Sequence, residues 1–201
     1  MLFFNKRHYK NIDTEELVLK AQNDDIDALE ELIKRYQNTV YATFYYLNKD
    51  SHDILDLTQE ALVKMSRNIK SLREPKKFKS WLNQIVTNIF YDHIRKNNRK
   101  PDTITIEKHE NPITGASTPI ELVSKEKNPE EHSLGTELNS LIESSIQKLP
   151  NSFKLAIVLR EFQGLSYEEI ANITETSVGT VKSRIARARN KLQEELKAYI
   201  A

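Results

Sequence analysis

Apolar residues spaced three and four apart run through most of this chain, and that spacing admits helices and little else. Leu29, Leu32, Ile33, Tyr36, Val40, Phe44 and Leu47 fall on one face of a 3.6-residue helix. Ile54, Leu57, Ala61, Leu62 and Met65 repeat the pattern. Trp81, Leu82, Ile85, Val86 and Ile89 do so again within a helix expected from about Lys79 to Arg95. The intervening stretch SLREPKKFKS carries Pro75 and several cations and reads as a loop. Leu138, Leu141, Ile142, Ile146 and Leu149 restore the period as far as Pro150. A further helix is expected from Ser152 to about Gln163, stopped by Gly164.

Residues 101–137 break the period. They hold four of the six prolines, two of the four glycines and no aromatic residue, and eight carboxylates outnumber three lysines. With so little to bury, this segment is expected to be extended or disordered. A chain of 201 residues with 38% hydrophobic and 29% charged content suits two small cores better than one large one. The expected fold class is therefore all-α: two small helical domains joined by a flexible acidic linker. The boundaries are an N-terminal extension at 1–12, a helical domain at 13–100, the linker at 101–137 and a smaller helical domain at 138–201.

The chain lacks cysteine, which excludes a disulfide framework and a thiolate metal site. Its five histidines (His8, His52, His93, His109, His132) show no metal-ligand spacing, so no metal and no cofactor is expected. The apolar run in MLFFNKRHYK is too short for a signal-peptide core or a membrane span. A cytoplasmic protein without direct membrane insertion is expected. The net charge of +1 argues against a general nucleic-acid coating protein, although local basic faces remain open.

One such face lies near the C-terminus, in LSYEEIANITETSVGTVKSRIARARNKL. Ser166 and Glu169 have the spacing of a capping box at a helix start. A short helix, YEEIANIT, is followed by ETS and a second helix from about Val178, with Ser177 or Thr176 as N-cap, which makes a helix-turn-helix candidate. Glu175 stands where such a turn commonly has glycine. In projection, Val178, Val181, Ile185, Ala188 and Leu192 form the inward side of the second helix. Opposite lie Ser183 and Asn190, flanked by Ala186 and Arg187, with Lys182 and Arg189 on one border and Arg184 and Lys191 on the other. Small and hydrogen-bonding residues ringed by cations are what close approach to a DNA major groove requires. A solvated amphipathic helix can also be basic; the capping box, the turn and the preceding helix together favour DNA binding.

The helix at 79–95 has a second polar stripe. Gln84, Asn88, Tyr91 and Arg95 share a side, and HIRKNNRK adds cations at the end. Amides, an aromatic ring and a guanidinium suit bases and backbone; favourable placement of cations at a helix C-terminus explains the same residues without a ligand.

With these segments in place, the chain resembles the extracytoplasmic-function (ECF) class of bacterial RNA polymerase sigma factors over nearly its whole length. DILDLTQEALVKMSRNI is similar to the family's segment for binding core polymerase. FKSWLNQIVTNIFYDHIRKNNR is similar to its minus-10 region, and LPNSFKLAIVLREFQGLSYEEIANITETSVGTVKSRIARAR to its minus-35 reader. The resemblance implies a promoter-specificity subunit that is not an enzyme and has no catalytic residue. Its partners would be core RNA polymerase, promoter DNA and an anti-sigma factor, with no small-molecule substrate. It implies core-polymerase contacts at Asp53, Asp56, Leu57, Gln59, Glu60 and Leu62. Minus-10 contacts would fall on Lys77, Phe78, Gln84, Asn88, Tyr91, Arg95, Lys96 and Arg99. Lys70 to Phe78 matches the loop that captures a flipped base, with Phe78 either stacking on it or plugging the core. Minus-35 contacts would fall on Ser177, Thr180, Lys182, Ser183, Arg184, Ala186, Arg187 and Asn190. The linker, with five net negative charges, would imitate RNA in a basic channel or act as a solvating spacer. Two other readings compete: an autonomous helix-turn-helix regulator with an N-terminal partner or ligand domain, and an enzyme such as a nuclease, for which no site can be assembled.

Overall fold

The computed structural model describes residues 9–49, 53–99 and 129–200, and every regular element among them is helical. The N-terminal unit comprises α1 (Thr14–Gln22), α2 (Ile26–Leu47), α3 (Ile54–Asn68) and α4 (Phe78–Arg99). The C-terminal unit comprises α5 (Pro129–Gln147), α6 (Asn151–Ile157), α7 (Tyr167–Ile173) and α8 (Val178–Ile200).

Acidic caps start the first two helices. Asp13 accepts the Glu16 amide at 2.8 Å and Asp25 accepts the Ala28 amide at 3.0 Å, satisfying donors the helix itself leaves unpaired. The apolar stripes then meet. Leu32, Val40, Phe44 and Leu47 of α2, Ile54, Leu57, Ala61 and Met65 of α3, and Phe78, Leu82, Val86, Ile89 and Phe90 of α4 are all buried. Each large side chain so buried contributes about 1.5–3 kcal/mol. Among the described residues no helix is long and apolar enough to cross a membrane.

Three boundaries differ from the expectation. SLREPKKFKS is not an open loop: it begins at the last residue of one 3-10 turn, Ile69–Ser71, and contains a second, Pro75–Lys77, with Pro75 pre-setting the backbone at the first position of that second turn. α4 runs on to Arg99 because nothing in YDHIRKNNR breaks a helix. α5 begins at Pro129, inside the span read as linker, with proline at the first helical position, where its missing N–H breaks no helical hydrogen bond. The expected extension of residues 101–128 lies outside the described residues.

The helix expected over 152–163 is interrupted. α6 gives way to a π turn at Val158–Phe162, closed by Gly164 at φ +63. The Gly164 amide bonds to Arg160 O at 3.1 Å and the Leu165 amide to Leu159 O at 3.1 Å. Glycine bears this left-handed backbone without a Cβ penalty.

The two units pack against each other, which no local pattern announces. The buried Gln163 Nε2 donates to Thr43 Oγ1 at 2.8 Å. The rings of Tyr46 and Phe162 lie 4.0 Å apart, centre to centre. Glu143 accepts from Tyr45 Oη at 2.9 Å and from Lys49 Nζ at 2.6 Å. Gln147 Nε2 reaches Tyr46 O at 2.9 Å, and Ser80 donates to Glu169.

Candidate nucleic-acid interface

The capping box is complete: Ser166 Oγ accepts the Glu169 amide at 3.1 Å, and Glu169 accepts the Ser166 amide at 2.8 Å. Burial works against the charge on Glu169, but hydrogen bonds from Ser80 and Ser166 outweigh it and hold the carboxyl below its ordinary pKa. Ser177 is the residue that caps α8; its Oγ accepts the Thr180 amide at 3.0 Å. Glu175 takes the left-handed conformation at φ +52 in the intervening turn, which explains why glycine is common there.

α8 is oriented as its projection requires. Val181, Ile185 and Ala188 are buried, and Val178 and Leu192 pack beside them. Ser177, Lys182, Ser183, Ala186, Arg187 and Asn190 are exposed, and Thr180 and Arg184 half-buried. Of the cations, Arg189 is drawn away to Glu161, with Nη2 at 2.6 Å from Oε1. Lys182 and Arg187 therefore flank an uncluttered surface of short side chains.

On α4, Gln84, Asn88, Arg95 and Lys96 are exposed and Tyr91 is half-buried. Burial raises the Tyr91 pKa, and the charge of Arg184 opposes that rise, so the two candidate DNA surfaces lie within electrostatic range of each other. Arg95 is paired with Asp92 at 2.5 Å and Lys77 with Glu74 at 2.8 Å. The side chain of Arg99 lies outside the described residues.

Phe78 does not present a stacking face. It is only 1% exposed and packs edge-on against Tyr36 at 5.0 Å between ring centres, so it plugs the core and anchors the loop from within. Leu57 is likewise corrected. At 7% exposure it belongs to the core of the N-terminal unit, because it shares the inward side of α3 with Ile54, Ala61 and Met65. Asp53, Asp56, Gln59 and Glu60 are exposed and Leu62 half-buried.

α3 carries two surface residues that periodicity alone overlooked. Leu55 is 65% exposed and Val63 45%, and both lie on the side away from the core, with Asp56, Gln59 and Glu60 around them. The readable signal was their position off the apolar stripe: hydrophobic side chains on an otherwise acidic face.

Comparison with known proteins agrees with this arrangement. Residues 32–100 match Sigma-70 region 2 and residues 140–192 match Sigma-70, region 4. The chain is 36% identical over 183 residues to the ECF RNA polymerase sigma-E factor of Haemophilus influenzae, covering 90% of this chain and 93% of that protein. It is 35% identical over 184 residues to the ECF RNA polymerase sigma-E factor of Escherichia coli, covering 92% of this chain and 94% of that protein. Among solved structures, the sigma factor RpoE of Bartonella quintana, in complex with the anti-sigma factor NepR, aligns with a TM-score of 0.62 at 27% identity. That alignment covers 84% of this chain and 96% of the other. CnrH, in complex with the cytosolic domain of CnrY, shares the fold at 22% identity with a TM-score of 0.63, over 92% of this chain and 97% of that one. A helix-turn-helix with an outward polar arc, a second polar stripe on α4, and relatives of this identity over nearly the full length lead to one conclusion: the chain belongs to the ECF family of RNA polymerase sigma factors.

Proposed function

We propose that this protein docks on core RNA polymerase through the exposed face of α3 and directs it to promoters with two DNA surfaces. The polar arc of α8 reads the minus-35 element. The stripe Gln84, Asn88, Tyr91 and Arg95, with Lys77 and Lys96 nearby, engages the minus-10 element. The observation that carries the reading is the α8 arc itself. Lys182, Ser183, Ala186, Arg187 and Asn190 stand exposed over a buried Val181–Ile185–Ala188 seam, behind a complete capping box. Short residues at the centre admit the helix to the groove, and the flanking cations meet phosphates or guanine edges.

The α3 surface fits a helical partner with apolar and basic character, since Leu55, Leu62 and Val63 supply contact area and Asp56 and Glu60 supply charge. An anti-sigma factor is a further proposed partner, supported by the Bartonella relative held by NepR. The two-region match and the named relatives favour a sigma factor over an autonomous regulator.

Transcription with purified core polymerase on a library of bipartite promoters tests the proposal. The expected result is stimulation that depends on both elements. Absence of stimulation on every promoter, combined with tight polymerase-free binding to a palindromic site, would overturn it.

A further inference from the structure

Gln22, the last residue of α1, reaches across the N-terminal unit to the chain that follows α3. Its side-chain nitrogen donates to Ile69 O at 2.9 Å and to Leu72 O at 2.7 Å. A carboxamide has two N–H groups, so one side chain serves both carbonyls. Both carbonyls lie beyond the regular ladder of α3: Ile69 O also accepts the Leu72 amide at 3.2 Å and takes Gln22 as a second donor, while Leu72 O stands past the end of that last turn. Two residues further on, Asp24 adopts φ +67 and its carboxylate meets Lys70 Nζ at 2.6 Å. The corner between α1 and α2 thus grips the start of the segment at two points.

The far end of the segment is fixed differently. Phe78 is sunk in the core against Tyr36 and Trp81. Between the two anchors run Arg73, Lys76 and Lys77, all exposed. A cationic segment pinned at both ends has a preset path. A pocket for an unstacked base needs that, because a loop free to collapse must be ordered again on each binding event.

We infer that Gln22 is a positioning residue for base capture by the segment 70–78, an inference that rests on the minus-10 reading above. Gln22 does not touch DNA; it holds the Leu72 carbonyl, and through it the direction in which the chain enters the cationic segment.

The test uses holoenzyme assembled from the full chain and core polymerase, with forked promoter DNA carrying an abasic site at each non-template minus-10 position in turn. With the unmodified protein, one position is expected to lose roughly 5- to 100-fold in affinity, the range that hydrogen bonding from a cationic side chain to a base edge supports. In Gln22→Met, which keeps side-chain length without donors, affinity for the intact fork falls toward that of the abasic fork. Affinity for the abasic fork stays unchanged, so the penalty shrinks to about 2-fold or less. Gln22→Glu, equal in shape and unable to donate when ionised, gives the same result if the Met variant fails to fold. Gln22→Lys, whose ammonium can donate to both carbonyls, retains the penalty. A full penalty in the Met and Glu variants overturns the role of Gln22 alone, as does an equal loss on intact and abasic forks, which marks simple structural support. If the unmodified protein shows no penalty at any position, base capture by this segment falls, and the inference with it.

Discussion

Glu175 occupies backbone that L-residues with a Cβ avoid, at φ +52 between α7 and α8, and its side chain is exposed. Nothing in the described contacts needs the carboxylate there. Glu175→Gly is therefore expected to stabilise the protein, by up to about 1 kcal/mol after the extra freedom glycine gives the unfolded chain. Urea unfolding checks this; a lower midpoint would contradict it. Arg187 poses a different single-residue question, since it is exposed on the α8 arc among short side chains. Arg187→Ala is expected to cost roughly 1–3 kcal/mol on promoters with the preferred base at one minus-35 position and little on the others. Promoter-variant transcription would show that selectivity; a uniform loss would make Arg187 a phosphate anchor. The outward direction of Arg187 could be read from the sequence, because a helix of known phase fixes it, whereas Glu175, in the turn, stood out only as the residue where glycine is common.

At the scale of the element, α3 shows what a projection resolves and what it misses. Its inward side (Ile54, Leu57, Ala61, Met65) follows directly from the apolar period. Leu57 was nonetheless placed with the docking residues, since resemblance assigns a segment and not a face. The structure divides the two roles. Leu57→Ala is expected to destabilise the fold by about 2–5 kcal/mol, as a buried truncation does. Leu55→Ser combined with Val63→Ser should leave the unfolding midpoint nearly unchanged and weaken binding to core polymerase about 10-fold or more. Fluorescence anisotropy against core, with unfolding measured on the same samples, separates these effects. Unchanged core affinity in the double variant would remove the docking role from this face. The π turn at Val158–Phe162 was invisible to the same method, because an extra residue per turn leaves a short apolar run looking helical.

For the whole molecule, the packing of the two units raises a geometric conflict with promoter reading. Elements about 25 base pairs apart lie ~85 Å apart along B-form DNA, at about 3.4 Å per base pair. Here Ser80 of α4, the helix with the proposed minus-10 stripe, bonds Glu169 of α7, the helix that precedes the proposed minus-35 arc on α8. On the proposed reading, the units separate when both surfaces engage DNA at once. Since the chain has no native cysteine, dyes can be placed through Arg67→Cys and Gln193→Cys. Energy transfer between them is expected to fall when core polymerase and promoter are added. Thr43→Val, which leaves the buried Gln163 amide without its partner, should weaken the closed state by about 1–3 kcal/mol and lower transfer before any partner is present. Unchanged transfer in both experiments would refute the opening. Acid should act in the same direction. Hydrogen bonds depress the Glu169 pKa, and the one from Ser80 is made only while the units are packed, so its contribution to the closed state is present above the open-state pKa and disappears as pH falls through the lower closed-state one. Transfer followed from neutral pH downward should therefore decline as the carboxylate is protonated in the acid range; a closed state that tightened in acid would contradict the assignment.

The sequence by itself determined the helices, their inward faces, the capping box and the outward arc of α8, since each depends on residues within one or two turns of each other. It also carried the family, because several motifs in order are specific where one is not. Only the tertiary structure decided that Phe78 is a plug against Tyr36, that Gln22 holds Leu72, and that Thr43 meets Gln163. Those pairings join residues far apart in the chain, and the choice among the many side chains able to make them is settled by packing, not by any local pattern.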